Sequence, residues 1–266
     1  MKKVLALVLA ALMVFSLVAC SGSGKDETSA PDTSAPEEKA TLVMATNAAF
    51  PPYEFKEGDS FAGIDVEIAG KIAEKLGMTL EIKDVEFGSI IGGVQTGKFD
   101  IGMAGMTVTD ERLKSVNFSD SYATGIQVVI VKDGSAIKSL DDLKGDGSMK
   151  FGVQQDTTGD IYASDTVENG GYGKDNVVRY KTGADAVQAL KTGKVDAVII
   201  DNEPAKSFVS ANEGLSILDG SWVEENYAIA IAKENTELLE KVNNALKELT
   251  ADGTVKSIID KYIPAE

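Results

Sequence analysis

Two charged residues of opposite sign, Arg112 and Asp201, follow apolar runs. The first run, Ile101 to Met106, lacks helical spacing and is broken by Gly102 and Gly105. It reads as a buried strand whose end brings bare backbone to a surface. Thr107 and Thr109 follow, and Asp110-Glu111-Arg112 opens a short helix. A guanidinium just past a strand end, beside Gly and Thr, is placed to fork onto a carboxylate, although the spacing alone also fits a solvated helix charge. Asp201 ends a second run, Val195 to Ile200, where it fits either a grip on a cation or a helix N-cap before Asn202-Glu203-Pro204. The third candidate is Thr157-Thr158-Gly159. A strand at Phe151 to Gln154 turns there into a helix starting near Ile161, and such a start offers N–H groups to an anion.

Composition removes several chemistries. The chain has no histidine and one cysteine, Cys20, so Ser-His and Cys-His catalysis are excluded. No zinc set is available and no metal or cofactor is expected. The formal charge of −16 argues against nucleic acid and against electrostatic binding to acidic lipid. Lys2-Lys3 precede a short apolar run, Val4 to Val18, with the flanks of an export signal rather than of a membrane span. Ser21 to Lys39 is Ser, Gly, Thr, Pro, Asp and Glu without apolar periodicity, and reads as a disordered tether.

The body must position the candidates. Thr41 to Ala45 reads as the first strand, and Thr46 to Phe55, with Pro51-Pro52, as a rigid loop. Lys56 to Ser60 is a hairpin-like turn. Ile68, Ala69, Ile72, Ala73 and Leu76 lie at helical spacing before Gly77, and a strand follows at Met78 to Lys83, which predicts a parallel βαβ unit. A helix is expected over Phe87 to Gln95 with Ile90, Ile91 and Val94 inward. Further strands are expected at Gln127 to Val131, Val177 to Tyr180 and Asn226 to Ala232. A repeat stands out: Gln95-Thr96-Gly97-Lys98-Phe99-Asp100-Ile101 matches Lys191-Thr192-Gly193-Lys194-Val195-Asp196-Ala197. Two copies of helix, turn and strand suggest two lobes of like topology.

AGMTVTDER at 104–112 and VNFSDSY at 116–122 resemble the signature of extracellular solute-binding proteins for polar amino acids, the receptors of ABC importers. The resemblance spans Thr41 to Ile263. It implies an α/β fold of periplasmic-binding-protein type II, with two Rossmann-like lobes joined by two crossing strands. The lobes would be 40–125 with 226–266, and 126–225. Arg112 would then hold the ligand's α-carboxylate with Thr107 and the N–H groups at Thr157 and Thr158. Asp201 and the Gly105 carbonyl would take the ammonium. Asn47, Phe50 and Phe87 would meet the ligand's side chain. Asn47 stands where other members carry Asp, Gln154 where some have Lys, and Ile200 where some have a hydrogen-bonding residue. Asp156 replaces a common Gly.

Leu17-Val18-Ala19-Cys20 resembles a bacterial lipobox. That implies a signal peptide over 1–19, lipidation of Cys20 and a tether to residue 39. Losing Lys2 and Lys3 would take the charge to −18. The expected partners are a polar amino acid of the glutamine, arginine, lysine, histidine or cystine class, an ABC permease and its ATPase, with the chain monomeric and membrane-bound only by its anchor. Ser121 to Ile126 and Glu225 to Tyr227 are the expected hinges. Two other readings stay open: an enzyme on the same fold resembling cyclohexadienyl dehydratase, and the ligand module of a sensor.

Overall fold

The apolar runs settle into two main sheets of one strand pattern. The computed structural model describes residues 40–144, 147–220 and 222–264; the expected signal, Cys20 and the tether lie outside them. β1 (Thr41–Thr46) is followed by β2 (Ala49–Phe50), β3 (Glu54–Glu57), β4 (Ser60–Ala62), α1 (Ile64–Lys75), β5 (Thr79–Asp84) and α2 (Ile90–Gln95). Next come β6 (Ile101–Gly102), α3 (Arg112–Ser115), β7 (Val116–Phe118), the long β8 (Ala123–Lys132), β9 (Phe151–Gln154), α4 (Thr158–Ser164) and β10 (Val177–Tyr180). Then come α5 (Gly183–Lys191), β11 (Ala197–Asp201), α6 (Asn202–Ser210), β12 (Leu215–Ile217), β13 (Val223–Tyr227), β14 (Ala230–Ala232), α7 (Thr236–Ala251) and α8 (Thr254–Tyr262).

The first sheet runs β5-β1-β6-β14-β7 and the second β10-β9-β11-β8-β12. In each, the first three strands are parallel, and the fourth lies antiparallel to its neighbours. β13 pairs antiparallel with β8, from Val223 opposite Gln127 to Tyr227 opposite Ala123. The chain therefore leaves the first sheet on β8 and comes back to it as β14. This is the expected two-lobed α/β fold. Helical spacing produces the layers: α1 buries Ile64, Ile68, Ala69, Ile72 and Ala73, and α7 buries Val242, Ala245, Leu246 and Leu249. Each Ile or Leu so buried contributes about 1.5–3 kcal/mol. Among the described residues no helix is long and apolar enough to cross a membrane.

Several expected boundaries change. The strand expected over Ile101 to Met106 pairs only at Ile101 and Gly102, although Met103 and Met106 are fully buried. Gly105 turns the chain with φ 51°, and its N–H goes to Asp65 rather than to a neighbouring strand. The helix expected near Ile161 starts at Thr158, because the Thr157 side chain caps it by accepting from the Asp160 N–H at 3.3 Å. The return strand divides into β13 and β14, because at the break Ala228 donates to the Met106 carbonyl and Ile229 to the Ser119 hydroxyl. The loop over Thr46 to Phe55 contributes β2 and part of β3 to a small antiparallel sheet. The helix expected from Phe87 opens as a single 3₁₀ turn, Phe87–Ser89, and Ile91 ends half-buried.

Candidate functional site

Arg112 opens α3, ten residues beyond β6, and only 9 % of it is exposed. Its guanidinium donates to the Thr107 carbonyl at 2.7 Å and, from the first lobe to the second, to the Asp156 carbonyl at 3.1 Å. The Phe87 ring lies 5.2 Å below it. Burial draws its pKa down, and the nearby Glu225 and Asp201 carboxylates act against that; a guanidinium in this setting stays charged. Asp156 presents its carbonyl from left-handed backbone, φ 65°, the conformation a glycine would adopt without strain.

Asp201 ends β11 and occupies the N-cap position of α6, yet its side chain makes no cap bond. It accepts instead from the Tyr227 hydroxyl. Burial, with Glu225 close by, pushes the Asp201 carboxyl up to about 7, against the lowering effect of Tyr227 and Gln127. Gln127 donates to Glu225 at 2.8 Å. The N-cap reading thus describes where Asp201 sits and not what its carboxylate does.

The remaining candidates surround the same space. One narrow cavity is lined by Asn47, Phe50, Phe87, Gly105, Thr107, Arg112, Thr157, Thr158 and Asp201. All nine residues expected from the sequence therefore meet. Asn47 donates to the Val85 carbonyl at 2.8 Å and accepts from Gln154 at 2.9 Å across the cleft. Phe50 lies on the Gly105 backbone and 6.1 Å from the Tyr53 ring. The Thr157 hydroxyl is engaged locally, donating to the Gln154 carbonyl at 2.7 Å. Thr158 is buried, with its hydroxyl 3.5 Å from the Gln127 amide.

Three lining residues were not in the expected set: Glu54, Ala104 and Gln154. Gln154 ends a parallel strand, the usual place for a ligand group in an open α/β sheet, and could have been found on that ground. Glu225 and Tyr227, expected only as part of a hinge, sit beside Asp201 in β13. Among the described residues there is no group of three or more acids, histidines or cysteines placed to hold a metal. What the cavity offers is one cationic fork and one anionic group, both buried, with amides and two rings for a third part of a ligand.

Residues 42–265 match the model of the bacterial extracellular solute-binding proteins, family 3. The chain is 35 % identical, over its whole length and that of its relative, to the arginine-binding extracellular protein ArtP of Bacillus subtilis. It is 30 % identical, again over both full lengths, to the ABC transporter glutamine-binding protein GlnH of the same organism. The solved structure of an ancestral arginine-binding protein bound to glutamine superposes with a TM-score of 0.77 at 40 % identity, covering 86 % of this chain and all of that one. The chain belongs to the bacterial extracellular solute-binding proteins, family 3.

Proposed function

We propose that this chain takes a polar L-amino acid between its lobes and hands it to an ABC permease and its ATPase. The observation that carries the reading is the placement of Arg112 and Asp201, from different lobes, on one buried cavity. A zwitterion needs both signs, and a buried charge left unpaired costs several kcal/mol. Arg112, Thr107 and the backbone at Thr157 and Thr158 hold the carboxylate. Asp201 and the Gly105 carbonyl hold the ammonium, while Asn47, Phe50 and Phe87 meet the side chain. The role is non-enzymatic, in keeping with relatives named as binding proteins.

The grips come from both sides, so closure completes them and ligand favours the closed state. The hinge is Ser121 to Ile126 with Glu225 to Tyr227, a reading supported by the pairing of Glu225 with Gly125 and of Tyr227 with Ala123. Lobe boundaries at 125/126 and 225/226 follow from that. Cys20 carries a lipid after removal of residues 1–19, and the tether holds a monomeric receptor on the outer face of the cell membrane.

A thermal-shift panel of the twenty amino acids with cystine, ornithine and citrulline, run after unfolding and refolding to strip carried ligand, tests the reading. A ligand at 100 times its Kd adds about 2.7 kcal/mol, or roughly 5–10 °C for a body of this size. A shift with one or a few polar amino acids supports it. No shift with any of them overturns it and turns the search to other carboxylates and to dehydratase activity.

A further inference from the structure

On the Gly105 side of the cavity lie two carboxyl groups that share no cation: Glu54, at the cavity wall, and Asp65. Glu54, on β3, is 1 % exposed, and Asp65, in the first turn of α1, is fully buried. Asp65 Oδ2 accepts from the Gly105 N–H at 2.8 Å. Its Oδ1 and both oxygens of Glu54 lie outside ordinary hydrogen-bond geometry with any donor among the described residues, although the buried Tyr122 hydroxyl lies near enough to Asp65 to favour its charged form. Two buried, interacting carboxyl groups are not tenable as two carboxylates, since each unsatisfied charged group costs several kcal/mol. One proton between them leaves a single charge and pairs one Glu54 oxygen with Asp65.

We propose that Glu54 is a positioning residue: it keeps its proton at neutral pH and donates it to Asp65, which as the carboxylate anchors the Gly105 peptide against the cleft. Two features decide which acid holds the proton. Asp65 already has a backbone donor that favours its charged form, and burial raises it only to about 6. Glu54 has no such donor, and burial together with the Asp65 charge pushes it well above the usual carboxylate range. The groups around the pair are the Asp201 carboxyl, which lines the cavity, and the phenols Tyr53 and Tyr122, which burial keeps protonated; Tyr122 favours the charged form of Asp65. Arg112, the cation on the same cavity, directs two of its five N–H groups to the Thr107 and Asp156 carbonyls and makes no ion pair with Glu54 or Asp65. Glu54 therefore acts on the ligand through Asp65 and Gly105. Its effect on binding rests on the amino-acid reading; the location of the proton does not.

The test has two arms on the full chain. In the first, ligand-free unfolding is followed from pH 5 to 8 for wild type and Glu54→Gln. A proton held by the folded state and lost by the unfolded one makes stability fall as pH rises above the ordinary glutamate pKa. The wild-type folding constant should therefore drop about tenfold per pH unit relative to Glu54→Gln, or about 3–5 °C per unit in Tm. Parallel curves overturn the proposal whether or not any amino acid binds. In the second arm, Glu54→Leu and Asp65→Ala should each weaken binding of the best ligand at least tenfold. Glu54→Gln, whose amide can still donate to Asp65, should restore it. If Glu54→Gln binds as poorly as Glu54→Leu, Glu54 acts as an anion and the proposal fails. If wild type binds no amino acid, the functional reading fails, and the first arm still decides where the proton is.

Discussion

The two Thr-Gly-Lys turns are nearly superimposable in their bonding, yet they lead to opposite charges. In the first lobe Thr96, Gly97 and Lys98 donate to the carbonyls of Gly92, Val94 and Gly93 at 3.1, 3.0 and 2.9 Å. In the second, Thr192, Gly193 and Lys194 donate to Gln188, Leu190 and Ala189 at 3.1, 3.0 and 2.9 Å. Gly97 and Gly193 take φ 71° and 74°. Asp100 and Asp196 each then brace the parallel strand beside their own, accepting from the N–H groups of Val43, in β1, and Lys150, just ahead of β9, at 2.7 and 2.8 Å. Beyond that point the lobes part. β6 stops after two residues, and the chain travels through Gly105 to reach Arg112. β11 continues for five and delivers Asp201 at its end. The scaffold is repeated, and the chemistry comes from how far each strand runs.

The largest effects break this opposition outright. Arg112→Ala and Asp201→Ala should each cost ligand binding more than about 2 kcal/mol, read by calorimetry, with little change in folding. Loss of Asp201 removes its repulsion with Glu225, which offsets the lost Tyr227 bond. A pH series sharpens the comparison. Only ionised Asp201 grips an ammonium, and its free-state pKa is about 7. Affinity should therefore fall as pH drops below 7, by up to about tenfold per unit, while Asp201→Asn should bind weakly at every pH. In the ligand-free protein the same raised pKa makes stability fall as pH rises from the unfolded value toward 7.

Smaller effects test the likeness of the turns. Gly97→Ala and Gly193→Ala should each cost stability by about 1–2 kcal/mol, equally in the two lobes, since an added Cβ meets the left-handed backbone strain. Open space lies around the first, and around the second the nearest atom is the flexible end of Lys132. Asp100→Ala should cost about 1–1.5 kcal/mol and Asp196→Ala about 0.5 kcal/mol, because the first bond is part-buried and the second exposed. Denaturant midpoints would show whether the braces differ by exposure as expected.

The sequence exposed the repeat because turn chemistry is local: glycine after a helix and an aspartate three residues on carry their own geometry. It exposed the amphipathic helices for the same reason. Arg112 and Asp201 gained their roles from resemblance, since spacing alone fits a surface charge or a cap equally well. The cross-cleft bonds, Gln154 to Asn47 and Arg112 to Asp156, join residues 107 and 44 apart and leave no periodic trace. Glu54 and Asp65 read as the polar members of a loop and a helix start. Only the packed fold reveals that they face each other without a cation. The early end of β6 was hidden because Met103 and Met106 are as apolar as strand residues.

The central claim is that Arg112 and Asp201 hold the two ends of one zwitterion. A ligand-and-residue cycle tests it directly. The best ligand of the panel, its analogue without the carboxylate and its analogue without the ammonium would be titrated against wild type, Arg112→Ala and Asp201→Ala. Removing the carboxylate should weaken wild type strongly and cost Arg112→Ala almost nothing further. Removing the ammonium should behave the same way with Asp201→Ala. Losses that simply add would mean that these residues and these ligand groups do not meet.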